Sequence, residues 1–220
     1  MTNPSDPPVP SCGVDHPVFA RLYSALAPGA EKSGVGRHRE ELLAGLSGMV
    51  VEVGAGSGLN FGHYPPEVTK VVAVEPEPYL RAKAEKMATG APVPVTVVAG
   101  TAQQIPAADE VFDAAVLSLV FCSVPDVPAA LTELRRVLKP GGVVAYYEHV
   151  RSETPLYSRL QDAADVVWPH IGGGCHPNRD TPGSLQRGGF VIEQQRRFHF
   201  QPCVLVWPVA PVVIGRARRP

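Results

Sequence analysis

Residues 50–61 read VVEVGAGSGLNF, an apolar run with one acid in it, followed by glycines at positions 54, 56 and 58. A strand that breaks into alternating glycines brings main chain close to a ligand, because no Cβ stands in the way. The spacing of those glycines argues against two common ligands. In the dinucleotide fingerprint G-x-G-x-x-G the third glycine lets helix and strand pack closely. Here it arrives one residue early, and Asn60 occupies a place that need not be small. A phosphate-cradling P-loop ends in Lys-Ser/Thr, and no such pair follows.

The surrounding acids narrow the reading. Glu52 lies two residues before the first glycine, and Glu75 ends the next apolar run in VVAVEPEP (71–78). A carboxylate at that second position can accept ribose hydroxyls. Glu52 is awkward for a phosphate and natural for an ammonium group, while a helix N-terminus after the glycines can meet a carboxylate. An adenosine, an amino-acid end and no phosphate describe S-adenosylmethionine (SAM). The expected cofactor-binding residues are Glu52, Gly54, Ala55, Gly56, Gly58 and Asn60 in the first turn, with Glu75 and Pro76 at the second. AGTAQQIP (99–106) adds Thr101, Ala102 and Gln103 beside the adenine. VLSLVFCSVPD (116–126) brings Leu117, Ser118 and Val120 to the carboxyl edge of the sheet, where open α/β sheets bind ligands.

Taken in order, VEVGAGSG, VVAVEPEP, GTAQQIP, FDAAVLSLVFCSV and LRRVLKPGGVV resemble the successive motifs of class I SAM-dependent methyltransferases, over roughly residues 37–150. The resemblance implies an α/β, Rossmann-like, seven-stranded and mostly parallel sheet of order 3-2-1-4-5-7-6, with strand seven antiparallel and helices on both faces. It implies SAM as cofactor and S-adenosyl-L-homocysteine as product. Tyr23 resembles the tyrosine that many such enzymes lay over bound SAM; an ordinary core aromatic beside Phe19 is the alternative. A narrower likeness rests on FGHYPP, RRVLKPGGVVAYYEHV, WPHIGGGCHPNRDT, LQRGGF and WPVAPVVIGRA. These are similar to the alkyl-thiol S-methyltransferases of the methyltransferase-like group in animals, and imply a small thiol as methyl acceptor. The same group is close to the C-methyltransferases of quinone biosynthesis. Methylation of oxygen, nitrogen or carbon in a natural-product or quinone pathway is therefore the alternative, and SAM binding without catalysis is another. The likeness departs at the N-terminus, where those proteins carry an apolar anchoring segment and this chain reads NPSDPPVP.

Composition sets the remaining bounds. With 220 residues and a net charge of −1, the chain fits one domain and gives no reason to expect nucleic acid as partner. Residues 1–14 read as a flexible arm and 15–220 as a single domain, with N-terminal helices over 15–48 and a substrate-side insertion over 151–188. The apolar stretch CVLVWPVAPVVI is too short to span a bilayer and holds two prolines. The closing GRARRP reads as a solvated tail, with peripheral contact to an anionic surface as the alternative. Four cysteines (Cys12, Cys122, Cys175, Cys203) without a C-x-x-C pair suit a reducing cytoplasm.

Periodicity places strands at Val50–Gly54, Lys70–Val74, 95–100, 112–120 and 143–150. Helical patterns fall at 16–28, 36–46, 76–88, 127–138, 157–171 and 181–189. Two strand-like runs close the chain, FVIEQQRRFHF and CVLVWPVAPVVIGRA, joined by a short turn into an antiparallel hairpin.

The acceptor side offers fewer signals. Methyl transfer from a sulfonium needs an oriented nucleophile and a dry site, and a thiol must become a thiolate to attack well. His149, in YYEHV after the fifth strand, is the first candidate base, with a loop-orienting role as its alternative. Glu148 beside it points the other way along a strand. His170, in WPHIGGGCH, is the second, with Cys175 and His176 as substrate-side residues. The H-x4-C-H spacing matches no zinc pattern, so no metal is expected. Arg179 and Asp180 read as cap or pairing residues for the helix that follows.

Overall fold

The computed structural model describes residues 20, 21, 24, 34–201 and 204–220. The expected arm at 1–14, most of the first helix, and Tyr23 lie outside the described residues. Seven strands run β1 (Gly48–Val53), β2 (Val68–Val74), β3 (Val95–Val98), β4 (Phe112–Ser118), β5 (Leu138–His149), β6 (Val191–His199) and β7 (Pro211–Arg218). They join one sheet of order β3-β2-β1-β4-β5-β7-β6. The five strands from β3 to β5 pair in parallel, and β7 runs antiparallel to both β5 and β6. This is the sheet the sequence predicts.

Alternation along the central strands sorts side chains between two cores. Val51, Val53, Ala115, Leu117 and Tyr146 face one side of the sheet. Val50, Ala114, Val116, Ala145 and Tyr147 face the other. Both faces are covered, as parallel sheets require. Helix α1 (Gly36–Leu43) contributes Leu42 and Leu43 to the second core, and α2 (Pro78–Ala88) contributes Ala84. On the first face, α3 (Val127–Val137) buries Val127, Ala130, Leu131, Leu134 and Val137, the one-sided spacing of an amphipathic helix. Its start is fixed by Asp126, whose carboxylate accepts the Ala129 N–H at 2.9 Å, and by Pro128 in the first turn. A fully buried valine such as Val51 contributes about 1.5–3 kcal/mol through burial alone.

Three expectations need correction. The predicted helix over 157–171 is broken. Helix α4 spans Pro155–Ala164 and a separate turn, α5, spans Trp168–Ile171. Pro169 lacks the N–H a continuous helix would need there, so it can sit only in a new first turn. Helix α6 (Thr181–Arg187) follows as expected, with Asp180 accepting the Gly183 N–H at 3.1 Å. The last apolar run is also not strand throughout. Val204–Val209 forms a 3₁₀ segment around Pro208, which cannot donate to a ladder, and β7 starts only at Pro211. Finally, GRARRP is not a solvated tail. Gly215–Arg218 lie within β7; Arg218 pairs with Glu193 at 2.5 Å and Arg219 with Glu110 at 2.8 Å.

Candidate active site

Parallel strands β1, β2, β4 and β5 end on the same edge, and there the chain leaves a cleft of about 440 Å³. Its walls are built from the turns after those strands. Gly54 has φ +67°, and a Cβ there would stand 2.3 Å from Val120 Cγ2. Only glycine lets the turn after β1 lie so close against the turn after β4. Gly56 borders the cleft and donates its N–H to Glu75 Oε2 at 2.7 Å, while Glu77 donates to Glu75 Oε1 at 2.9 Å. Burial raises the Glu75 carboxyl above its ordinary value, and these two amides pull it back.

Glu52 lies beneath this turn. It accepts from Asn60 Nδ2 at 2.8 Å and Tyr64 OH at 2.7 Å, and Asn60 Oδ1 accepts in turn from Arg39 at 2.6 Å. Burial pushes Glu52 up to about 7 against those hydrogen bonds and the Arg39 charge. Both carboxylates therefore shape the loop before they meet any ligand.

Ala55, Asn60, Pro76, Thr101, Ala102, Gln103, Ser118 and Val120 also border the cleft. The Thr101 hydroxyl is buried with no partner among the described residues. Two expected cofactor residues stand elsewhere. Leu117 is buried in the core, and Gly58 (φ +83°) makes room for the Phe61 ring, which a Cβ would approach to 2.6 Å.

The loop after β4 is held by Glu148. This fully buried carboxylate accepts the N–H groups of Val120 and Phe121 at 3.0 Å and of Cys122 at 3.2 Å. The loop carries Leu119 at φ +58°, an uncommon value for a side chain of that size. Glu148 lies on the Tyr146 side of β5, whereas Tyr147 and His149 border the cleft.

Also at the cleft, His149 Nδ1 lies 3.4 Å from Cys175 Sγ and 3.7 Å from Cys122 Sγ. Both cysteines are buried and unpaired. The hydrogen bond to Cys175, burial, and the Glu148 charge push the Cys122 thiol up. Trp168 lines the cleft as well; its indole N–H is buried without a partner among the described residues, and a Cβ on Gly172 would touch it at 2.8 Å. The structure does not bring His170 to the cleft. Its side chain is exposed on α5. His176 turns to Asp165 at 2.9 Å and likewise does not border the cleft. Arg179 donates to Val124 O at 3.0 Å.

Sequence reasoning missed Cys122, Arg39 and Trp168. Cys122 stands two residues beyond Val120 in a segment already singled out, but a lone cysteine in an apolar run carries no signal of its own. Gln161 was missed too. Buried on α4, it accepts from Ser152 N at 2.7 Å, and its amide lies within 3.1 Å of the Val150, Pro177 and Pro208 carbonyls. It ties the exit of β5 to the segments around Pro177 and Pro208.

A strand-ordered sheet with a glycine turn, an acid at the end of β2 and a deep cleft between them is the frame of a methyltransferase domain. Residues 51–146 match the family described as "Methyltransferase domain". The chain is 35% identical over 211 residues to the Homo sapiens protein named thiol S-methyltransferase TMT1B, covering 90% of this chain and 85% of that one. It is 36% identical over 136 residues to the demethylmenaquinone methyltransferase of Thermobifida fusca, covering 60% and 57% of the two chains. Among solved structures, geranyl diphosphate C-methyltransferase from Streptomyces coelicolor shares the fold with a TM-score of 0.65 at 15% identity, over 84% of this chain and 78% of that one. The chain belongs to the SAM-dependent methyltransferases, in the family that includes the thiol S-methyltransferases. Among the described residues no helix is long and apolar enough to cross a membrane.

Proposed function

We propose that this chain binds SAM in the 440 Å³ cleft and transfers its methyl group to a small thiol. The observation that carries the reading is the arrangement along one cleft. Glu75 and the glycine turn border it, and so does His149, which stands beside two cysteines.

The residues present fit the cofactor. The buried Thr101 hydroxyl lacks a partner, and the Glu75 carboxylate keeps lone pairs beyond its two amides. Glu52, Gly54, Ala55, Gly56, Asn60, Pro76, Ala102, Gln103, Ser118 and Val120 would complete the pocket. When bound, SAM supplies a methyl already activated on a sulfonium, so no covalent enzyme intermediate is needed. The protein's share is to orient the nucleophile and keep water out. Leu119, Trp168, Val206 and Val209 give the cleft apolar walls for that purpose. An ordinary thiol has a pKa of about 8.5 and attacks well only as the thiolate; His149 borders the cleft and would promote the loss of that proton.

In this reading residues 15–220 act as one domain in the cytoplasm, and 151–188 form the acceptor-side wall. The name of the human relative supports a thiol acceptor. The quinone-pathway relative supports carbon methylation as the second reading, at lower coverage. Incubation with methyl-labelled SAM and a panel of alkyl and aryl thiols, read by mass, decides between them. A labelled thioether is expected. Label found only on oxygen, nitrogen or ring carbon of other acceptors overturns the thiol assignment.

A further inference from the structure

Cys122, His149 and Cys175 come from three separate parts of the fold: the loop after β4, the end of β5, and the insertion beyond α5. Their ligand atoms nonetheless all lie within 4.8 Å of one another. A tetrahedral zinc with Zn–S of about 2.3 Å and Zn–N of about 2.0–2.1 Å sets neighbouring sulfur and nitrogen ligands about 3.5 Å apart. The two S–N separations here, 3.4 and 3.7 Å, bracket that value.

The cluster is built rather than incidental. His176 donates its main-chain N–H to Cys122 O at 2.8 Å, which fixes Cys175 beside Cys122. Glu148 accepts the Cys122 N–H and those of its two predecessors, so the same loop is held from below. These contacts fix the main chain that carries both cysteines. All three residues border the cleft, from which a fourth ligand would approach. Three protein ligands with one open position is the arrangement of catalytic, not structural, zinc.

We propose that Cys122, His149 and Cys175 hold a zinc ion whose fourth position takes the sulfur of the methyl acceptor. This rests on the thiol reading for the fourth ligand only. Coordination removes the proton of an incoming thiol, which passes to solvent. The thiolate sulfur then forms the new S–C bond, while the methyl's bond to the sulfonium breaks and its electron pair stays on the departing donor sulfur. The thioether product is neutral and a weaker ligand, so it leaves the position free.

The test uses the full chain, reduced and stripped with a chelator. Titration with zinc against a chromophoric chelator is expected to show one tight equivalent. Cobalt in its place is expected to give thiolate-to-metal charge-transfer absorption and the strong visible bands of a tetrahedral site. Cys175→Ser and His149→Ala are each expected to weaken zinc binding about tenfold or more, as loss of site contacts does, with the thermal melt of each zinc-free variant as the folding control. Adding a small alkyl thiol without SAM is expected to shift the cobalt bands. No tight equivalent on the wild-type chain, or cobalt spectra without thiolate bands, overturns the site. Cobalt bands indifferent to added thiol overturn the fourth-position assignment. None of these readouts needs a methyl donor, so they stand apart from the acceptor panel. Thiol methylation that runs equally fast without metal overturns the zinc proposal and leaves the proposed function intact.

Discussion

Gly56 donates its N–H to Glu75 Oε2 at 2.7 Å, so the turn after β1 and the acid that ends β2 are one unit. The acid thus has two duties, holding the turn and facing the cleft. Glu75→Ala leaves the Gly56 and Glu77 amides without their acceptor, and each charge-assisted bond of this kind contributes about 1.5–3 kcal/mol. SAM affinity measured by calorimetry is expected to fall at least tenfold, and Glu75→Gln is expected to fall less because one acceptor oxygen remains. Affinity equal to wild type in the alanine variant would place the ribose elsewhere.

The sheet and the glycine turn beside Glu75 were legible because both are written locally. Val50–Val53 and Val71–Val74 are short apolar runs that end in a glycine turn and in an acid, and parallel pairing brings their ends together. The cluster of Cys122, His149 and Cys175 is written in no local pattern. Cys122 and His149 are separated by 27 residues and His149 and Cys175 by 26, and they meet only because β4 lies beside β5 and the insertion folds back over both. His170 and His176 looked closer to Cys175 in sequence, yet α5 turns one outward and Asp165 draws the other aside. Val204–Val209 reads like strand because its valines outweigh one proline in any hydropathy count, while a single missing N–H outweighs them in a ladder.

Glu52 gives a pH signature. Its carboxyl titrates near 7 in the folded chain, against an ordinary value of 4.5, because it is fully buried. Between those values the folded state holds a proton that the unfolded chain has released. The resulting stability is fully present below 4.5 and is lost as pH rises through about 7. The effect is on the order of 3 kcal/mol. Chemical denaturation at pH 5 and pH 8 is expected to show a larger loss for wild type than for Glu52→Gln, which cannot ionise. Identical losses in the two chains would mean that Glu52 titrates at its ordinary value in the fold.

Gly54 and Val120 can be tested as a pair. Gly54→Ala puts a Cβ 2.3 Å from Val120 Cγ2 and holds alanine at φ +67°. The left-handed conformation alone costs about 1–2 kcal/mol, and the clash adds to it. Val120→Ala removes the clashing methyls but not the backbone strain. The double variant is therefore expected to be more stable than Gly54→Ala, yet less stable than Val120→Ala. A Gly54→Ala chain as stable as wild type would show that the two turns are not in contact in solution.

Glu148 is the last of the buried acids and the one with the most donors. Its carboxylate accepts three successive amides, Val120, Phe121 and Cys122, on the loop that also carries Leu119 in a left-handed conformation. Glu148→Ala strands all three, and an unsatisfied buried donor costs about 1–3 kcal/mol. Urea unfolding is expected to show a loss of at least about 3 kcal/mol, with Glu148→Gln intermediate because its amide oxygen can still serve two donors. The substitution also frees the loop that sets Cys122 against His149. Weaker zinc or cobalt binding in the glutamine variant, with the chain still folded, is therefore the expected companion result. A stability loss below about 1 kcal/mol in the alanine variant would show that solvent reaches these amides and that the loop is not held from below.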